Sequence, residues 1–151
     1  MVETENSKSI TLLLNGTISS LKSVIPLEHE FSRPTRVMDK LSLPYGVLIG
    51  ITGDVKGQLI FSGESAVFGS IGEVMFGMPL EGEMLTSFSG ELGNMIAGGL
   101  ATNIGGHGIQ VDITPPTIME GHTTLSGYKK AIHIDMHYPS DRQLGVYFLL
   151  N

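Results

Sequence analysis

Ser87 to Gly98 reads S-F-S-G-E-L-G-N-M-I-A-G, near the middle of a 151-residue chain. Leu85, Phe88, Leu92, Met95, Ile96 and Gly99 recur at helical spacing and fall on one side of a helix, which should pack on a sheet. Ser87, Glu91, Asn94 and Gly98 fall at i, i+4, i+7 and i+11. They form a second row, centred roughly 120° from the first. This row lacks the lysines and arginines that usually solubilise a helix face through i, i+4 pairs. Glycines at 90, 93, 98 and 99 add a cost of about 0.5–1 kcal/mol each relative to alanine. Glycine is useful where another backbone must come close, so a flat surface with one carboxylate and one amide suits docking. Plain solvent-facing surface is the other reading, and the residues alone leave both open.

Outward from this segment, the pattern predicts a helix over 83–104 that Gly105-Gly106 stops. A second helix covers 66–76, with Gly77 and Pro79 ending it. A first helix spans 7–22, where Ile10, Leu13, Leu14, Ile18 and Leu21 recur. Residues 45–52 and 58–62 read as a hairpin around Gly53-Asp54-Val55-Lys56-Gly57. Extended segments are expected at 27–31, 109–113 and 117–119. A closing pair follows at 129–138 and 143–149, joined by a Pro139-Ser140-Asp141 turn. A helix followed by extended segments ending in a hairpin thus occurs twice, with a linking helix between. Helices segregated from antiparallel strands predict one α+β domain over 1–151, with helices on one face of a largely antiparallel sheet and two pseudo-repeated halves.

Composition excludes several functions. The chain is 41% hydrophobic and 16% charged, which is globular and not disordered. A net charge of −6, with Lys129-Lys130 as the longest basic run, argues against a nucleic-acid footprint. The absence of cysteine rules out disulfides, cysteine zinc sites and a cysteine nucleophile. No apolar run reaches the roughly 18 residues of a membrane span, and the polar, acidic N-terminus is unlike a secretory signal. A cytoplasmic, soluble protein is expected, and the Asn15-Gly16-Thr17 triplet reads as chance.

The spacing Ser87-x-x-x-Glu91-x-x-Asn94-x-x-x-Gly98, with Asp112-Ile113-Thr114-Pro115-Pro116-Thr117 after the helix, resembles the CheC/CheX/FliY family of chemotaxis phosphatases. The resemblance runs over nearly the whole chain. CheC-like members carry this motif on two related helices and CheX-like members on the second alone. Here the first helix offers Lys8, Leu12, Asn15 and Ser19 at the same spacing, and only Asn15 matches, so the chain is most similar to CheX. The resemblance implies a CheC-like fold, a homodimer, and hydrolysis of the aspartyl phosphate on a CheY-type response regulator. It implies Glu91 and Asn94 as the catalytic pair, with Ser87 and Gly98 at the partner interface. Asn94 would orient the attacking water, since an amide both accepts and donates, and Glu91 would pair with the regulator's active-site lysine. No cofactor belongs to this chain under that reading; magnesium comes with the receiver. The alternative is a non-catalytic module on the same scaffold that binds a receiver or flagellar-switch partner.

His133, Asp135 and His137 alternate with Ile132, Ile134 and Met136, which puts three metal-capable side chains on one strand face. A polar outer face is the ordinary reading of such alternation, a metal site and a subunit interface are the lesser alternatives, and no metal site is assigned. Gly105-Gly106-His107-Gly108 follows a helix and lacks the lysine and hydroxyl of a nucleotide loop. Met75, Met78 and Met84 are expected to fill gaps around the Gly77-Met78-Pro79 link.

Overall fold

The computed structural model describes residues 2–26, 29–37, 40–138 and 142–150, with side chains from Ser9 onward. The elements are α1 (Val2–Val24), β1 (Glu30–Phe31), β2 (Thr35–Arg36), β3 (Leu41–Gly53), β4 (Gly57–Ser62), α2 (Ser65–Phe76), α3 (Gly82–Gly105), β5 (Val111–Ile113), β6 (Thr117–Leu125), β7 (Lys130–Tyr138) and β8 (Arg142–Leu150). All strand pairs are antiparallel, in the order β1-β7-β8-β4-β3-β5, with β2 also on β7 and β6 also on β3. The expected α+β architecture is therefore the observed one.

The order repeats as helix plus four strands, with α2 between the halves. The halves interlock. β1 and β2 of the first pair with β7 of the second, and β5 and β6 of the second pair with β3 of the first. The centre of the sheet is the β4–β8 ladder, one strand from each half.

The main core lies between the sheet and the helices. Val47, Ile49, Phe61, Val146 and Phe148 meet Leu13, Phe68, Leu92, Ile96 and Leu100, all at 2% exposure or less. α1 and α3 touch closely. A Cβ on Gly16 would stand 2.8 Å from Leu100 Cδ1 and 3.2 Å from Ile104 Cγ2, and one on Gly99 would strike Ser20 Oγ. Contacts that rise along α1 fall along α3, so the helices run antiparallel. The Ser20 hydroxyl donates to the Ile96 carbonyl at 2.8 Å, which satisfies a buried donor across the contact.

The sequence pattern misses some features. The 45–52 strand begins earlier, at Leu41, because a register shift between Leu43 and Tyr45 lies at Pro44. A proline has no N–H for the ladder, and the bulge reverses which parity faces the helices. Leu41 and Leu43 thus join Ile60, Met119, Ala131 and Leu149 in a smaller apolar cluster on the opposite face. The 117–119 segment continues to Leu125 despite Gly121 at φ 76°. The glycine stop after the central helix is also displaced. Gly106 stays right-handed at φ −66°, and the left-handed residue is Gly108 at φ 85°. At α2 the expectation holds, since Gly77 takes φ 73° and donates its N–H to the Glu73 carbonyl. Of the edge strand expected at 27–31, residues 30–31 form β1, while 27–28 and the 139–141 turn lie outside the described residues.

Two predictions follow from the packing. A Cβ on Gly93 would lie 2.8 Å from Val47 Cγ1 and 3.3 Å from Ile49 Cδ1, whereas one on Gly98 meets nothing within 4 Å. Gly93→Ala should lose about 1–3 kcal/mol by overpacking, and Gly98→Ala should gain about 0.5–1 kcal/mol from helix propensity. Urea unfolding reads both, and equal shifts would refute the seating of α3 on β3. Burial raises the Tyr138 hydroxyl above its usual pKa, and burial followed by the Asp135 charge raises Tyr147. Each folded tyrosine holds its proton beyond the unfolded value of about 10, so their contribution is complete below that pH and is lost as pH rises above it. Tyr138→Phe should flatten the alkaline fall of the denaturation midpoint.

Candidate functional site

α3 carries the site, and its seating determines which row faces outward. Gly93 rests on Val47 and Ile49 of β3, and Gly90 rests on Pro116 and Ile118, with its notional Cβ at 3.4 and 3.5 Å. The segment after β5 is held in turn by Thr114. Its Oγ1 accepts from the Gly50 N–H at 2.8 Å, and its own N–H donates to the Gly50 carbonyl at 3.0 Å. Thr114-Pro115-Pro116 is thereby fixed as a ledge beneath the helix. Tyr45 OH donates to Ser89 Oγ at 3.0 Å, and Ser89 donates to the Leu85 carbonyl at 2.8 Å. Phe88, Leu92 and Ile96 are buried as their spacing predicts, while Leu85 and Met95 are half-buried.

The opposite row is where the sequence places it. Ser87 and Glu91 are exposed, and Asn94 and Gly98 are half-buried. Among the described residues no hydrogen bond or ion pair engages the Glu91 carboxylate or the Asn94 amide. The glycines divide differently from the docking interpretation. Gly90, Gly93 and Gly99 serve contacts within the chain, and only Gly98 faces open space. An unengaged carboxylate and amide one helical turn apart can together hold a cation and orient a water.

A groove of about 590 Å³ adjoins the row. Ser87, Glu91 and Glu83 line it together with Phe76, Met78 and Met84. The methionine expectation is corrected here for Met78 and Met84, whereas Met75 is half-buried and packs against the core. Met78 is 49% and Met84 55% exposed, so they do not fill core gaps, and Phe76 is 61% exposed. Phe76 stands edge-on to Phe88 at 5.7 Å. Leu80 is buried against Gly72 and carries the link, leaving the methionines outside. The sequence signal was available in M-F-G-M-P-L-E-G-E-M, where apolar residues surround a two-glycine link too short to bury them all.

On the far face of the sheet, His133 Nε2 and Asp135 Oδ1 lie 2.7 Å apart. His133 stacks on Tyr147 at 4.4 Å and 7°, and the Asp135 N–H donates to Ser32 Oγ at 2.9 Å. Among the described residues no three His, Asp or Glu side chains come together as a metal site. The Asp135 backbone holds β7 to Ser32, in the segment before β2, through its N–H and through its carbonyl, which accepts from the Ser32 N–H at 2.9 Å, while the His133 ring lies on Tyr147 of β8. The His133/Asp135 pair shares no element with the row on α3.

The fold and site define an interlocked two-half α+β domain that displays one Glu/Asn row on its second long helix. The family model for chemotaxis phosphatase CheX matches residues 45–137. The CheY-P phosphatase CheX of Thermotoga maritima is 34% identical over 122 residues, covering 77% of each chain. The chain belongs to the chemotaxis phosphatase CheX family. Among solved structures, CheX of Desulfovibrio desulfuricans matches with TM-score 0.79 at 18% identity, over 93% of this chain and 97% of that one. CheX in a CheX–CheY–BeF3–Mg²⁺ complex from Borrelia burgdorferi matches with TM-score 0.77 at 21% identity, over 94% and 97%. No helix among the described residues is long and apolar enough to cross a membrane.

The hydroxyl contact below the site gives a further prediction. Tyr45→Phe keeps the ring and the Ser89–Leu85 bond, so it should cost about 0.5–1.5 kcal/mol. An unchanged urea midpoint would show that this bond contributes nothing to seating the helix.

Proposed function

We propose that the protein hydrolyses the aspartyl phosphate of a CheY-type response regulator. The unengaged Glu91/Asn94 pair on α3, in a member of the CheX family, carries this reading. The curated relative is itself named a CheY-P phosphatase. An acyl phosphate is already activated, and the receiver brings the magnesium and the lysine that neutralise phosphoryl charge. What this chain adds is a water held in line by the Asn94 amide, a gain from positioning. The water oxygen bonds to phosphorus as the bond from phosphorus to the aspartyl oxygen breaks. The products are inorganic phosphate and the free carboxylate, and the water's proton passes to phosphate or solvent.

Glu91 would repel a phosphoryl group unless it is paired, so its partner is the receiver's lysine, and the pair aligns the two proteins. Ser87 and Gly98 lie at the interface, Gly98 allowing close approach where no neighbour of its own intervenes. A homodimer with no cofactor of its own completes the reading.

Decay of phosphorylated CheY with magnesium tests it. Asn94→Ala should lower kcat by about 10²-fold or more while leaving binding intact, and Glu91→Ala should weaken both. An Asn94→Ala variant as fast as the wild type would overturn the mechanism. Binding without acceleration by the wild type would establish a non-catalytic module instead.

A further inference from the structure

We propose that the groove between the end of α2 and the start of α3 selects the receiver, by taking an apolar side chain flanked by lysine or arginine on the receiver's surface. The proposal rests on the phosphatase reading above and names the chemistry by which that site chooses its partner.

The exposed large hydrophobics among the described residues are Val74, Phe76, Met78 and Met84, at 49%, 61%, 49% and 55% exposure. All lie on α2, the link or the first turn of α3. A cluster of this kind marks a surface that something covers. The occupant follows from continuity. Ser87 and Glu91 line the same groove, so a body close enough to present a phosphoaspartate to Asn94 lies over Phe76 and Met84 as well.

Charge sets the occupant's character. Residues 57–128 contain no lysine or arginine, yet seven of the chain's 15 carboxylates lie there. Glu83 and Glu91 line the groove, and Glu73 on α2 and Glu81 in the link before α3 are exposed. A largely apolar lining that includes Glu83 and Glu91 and no lysine or arginine complements an apolar side chain between basic ones. The methionines suit this role, because their flexible, polarisable side chains adapt to more than one apolar shape. Asn94 would thus supply rate, and the groove would supply choice of receiver.

The test is steady-state dephosphorylation of Thermotoga maritima CheY with magnesium, by wild type, Phe76→Ala, Met84→Ala, Glu83→Lys, Asn94→Ala and, as a remote exposed control, Gln58→Ala. Melting curves verify that each variant folds. Phe76→Ala and Met84→Ala should raise KM by about tenfold with kcat within about twofold of wild type. Glu83→Lys should raise KM and flatten its dependence on salt. Asn94→Ala should lower kcat instead, and Gln58→Ala should change neither. An active wild type with KM unchanged in all three groove variants would overturn the groove proposal and leave the phosphatase reading standing. Loss of self-association in those variants, with KM unchanged, would assign the groove to a second copy and overturn it equally. A wild type that fails to accelerate decay of this receiver and of every phosphorylated CheY-type receiver of its own host would bring down the phosphatase reading and the groove proposal with it.

Discussion

The seating of α3 is the constraint on which the rest depends. Its side against the sheet and α1 is shaped by missing side chains. Gly93 admits Val47 and Ile49, Gly90 admits the Pro116 ledge, and Gly99 admits Ser20 with its bond to Ile96. Each absent Cβ weakens the helix by itself, about 0.5–1 kcal/mol apiece. Close packing on two sides offsets that cost, since buried contacts are individually small and collectively large. A helix held this tightly on one side has little rotational freedom. The row from Ser87 to Gly98 is consequently presented in one fixed orientation, which catalysis by positioning needs.

The two halves show what happens to equivalent helices under different demands. α1 and α3 meet antiparallel across the same face and are each followed by four strands. On α1 the position matching Glu91 is Leu12, which is half-buried and packed against the core. Asn15 is exposed there, but without a carboxylate one turn away it has no companion. The exchange of β1–β2 and β5–β6 between halves ties the helix that bears the Glu91/Asn94 row to both halves of the chain. β3, which supports α3, is itself held by strands of both halves.

Much of this was legible in the sequence, because the helix and hairpin periods are strong where one face is buried. The 3.6-residue spacing of Phe88, Leu92 and Ile96 placed the Glu91/Asn94 row on the correct side, and alternation in β7 placed Ile132, Ile134 and Met136 in the core. Local pattern failed where long-range contacts decide. The glycines looked like a docking surface, but three of them answer to Val47, Pro116 and Ser20, residues that no helical window includes. Tyr45 reads as the strand start, but the strand runs back through a register shift at Pro44 that turns Leu41 and Leu43 to the second apolar cluster. The methionines of the α2–α3 link were misread for a similar reason. Leu80 alone takes the buried position against Gly72, and the others are left outside.

The link also explains why an exposed apolar surface can persist beside a polar row. Gly77, at φ 73°, ends α2, and Gly82, at φ 58°, opens α3, so the chain turns sharply within a few residues. Within that turn Leu80 is the buried side chain. Phe76 stands edge-on to Phe88, a core residue of α3, with most of its ring outside the core. The same packing that locks the orientation of Glu91 and Asn94 therefore holds the hydrophobic wall next to them. Under the proposed reading one helix serves both rate and recognition, and a change that loosens α3 should disturb both together.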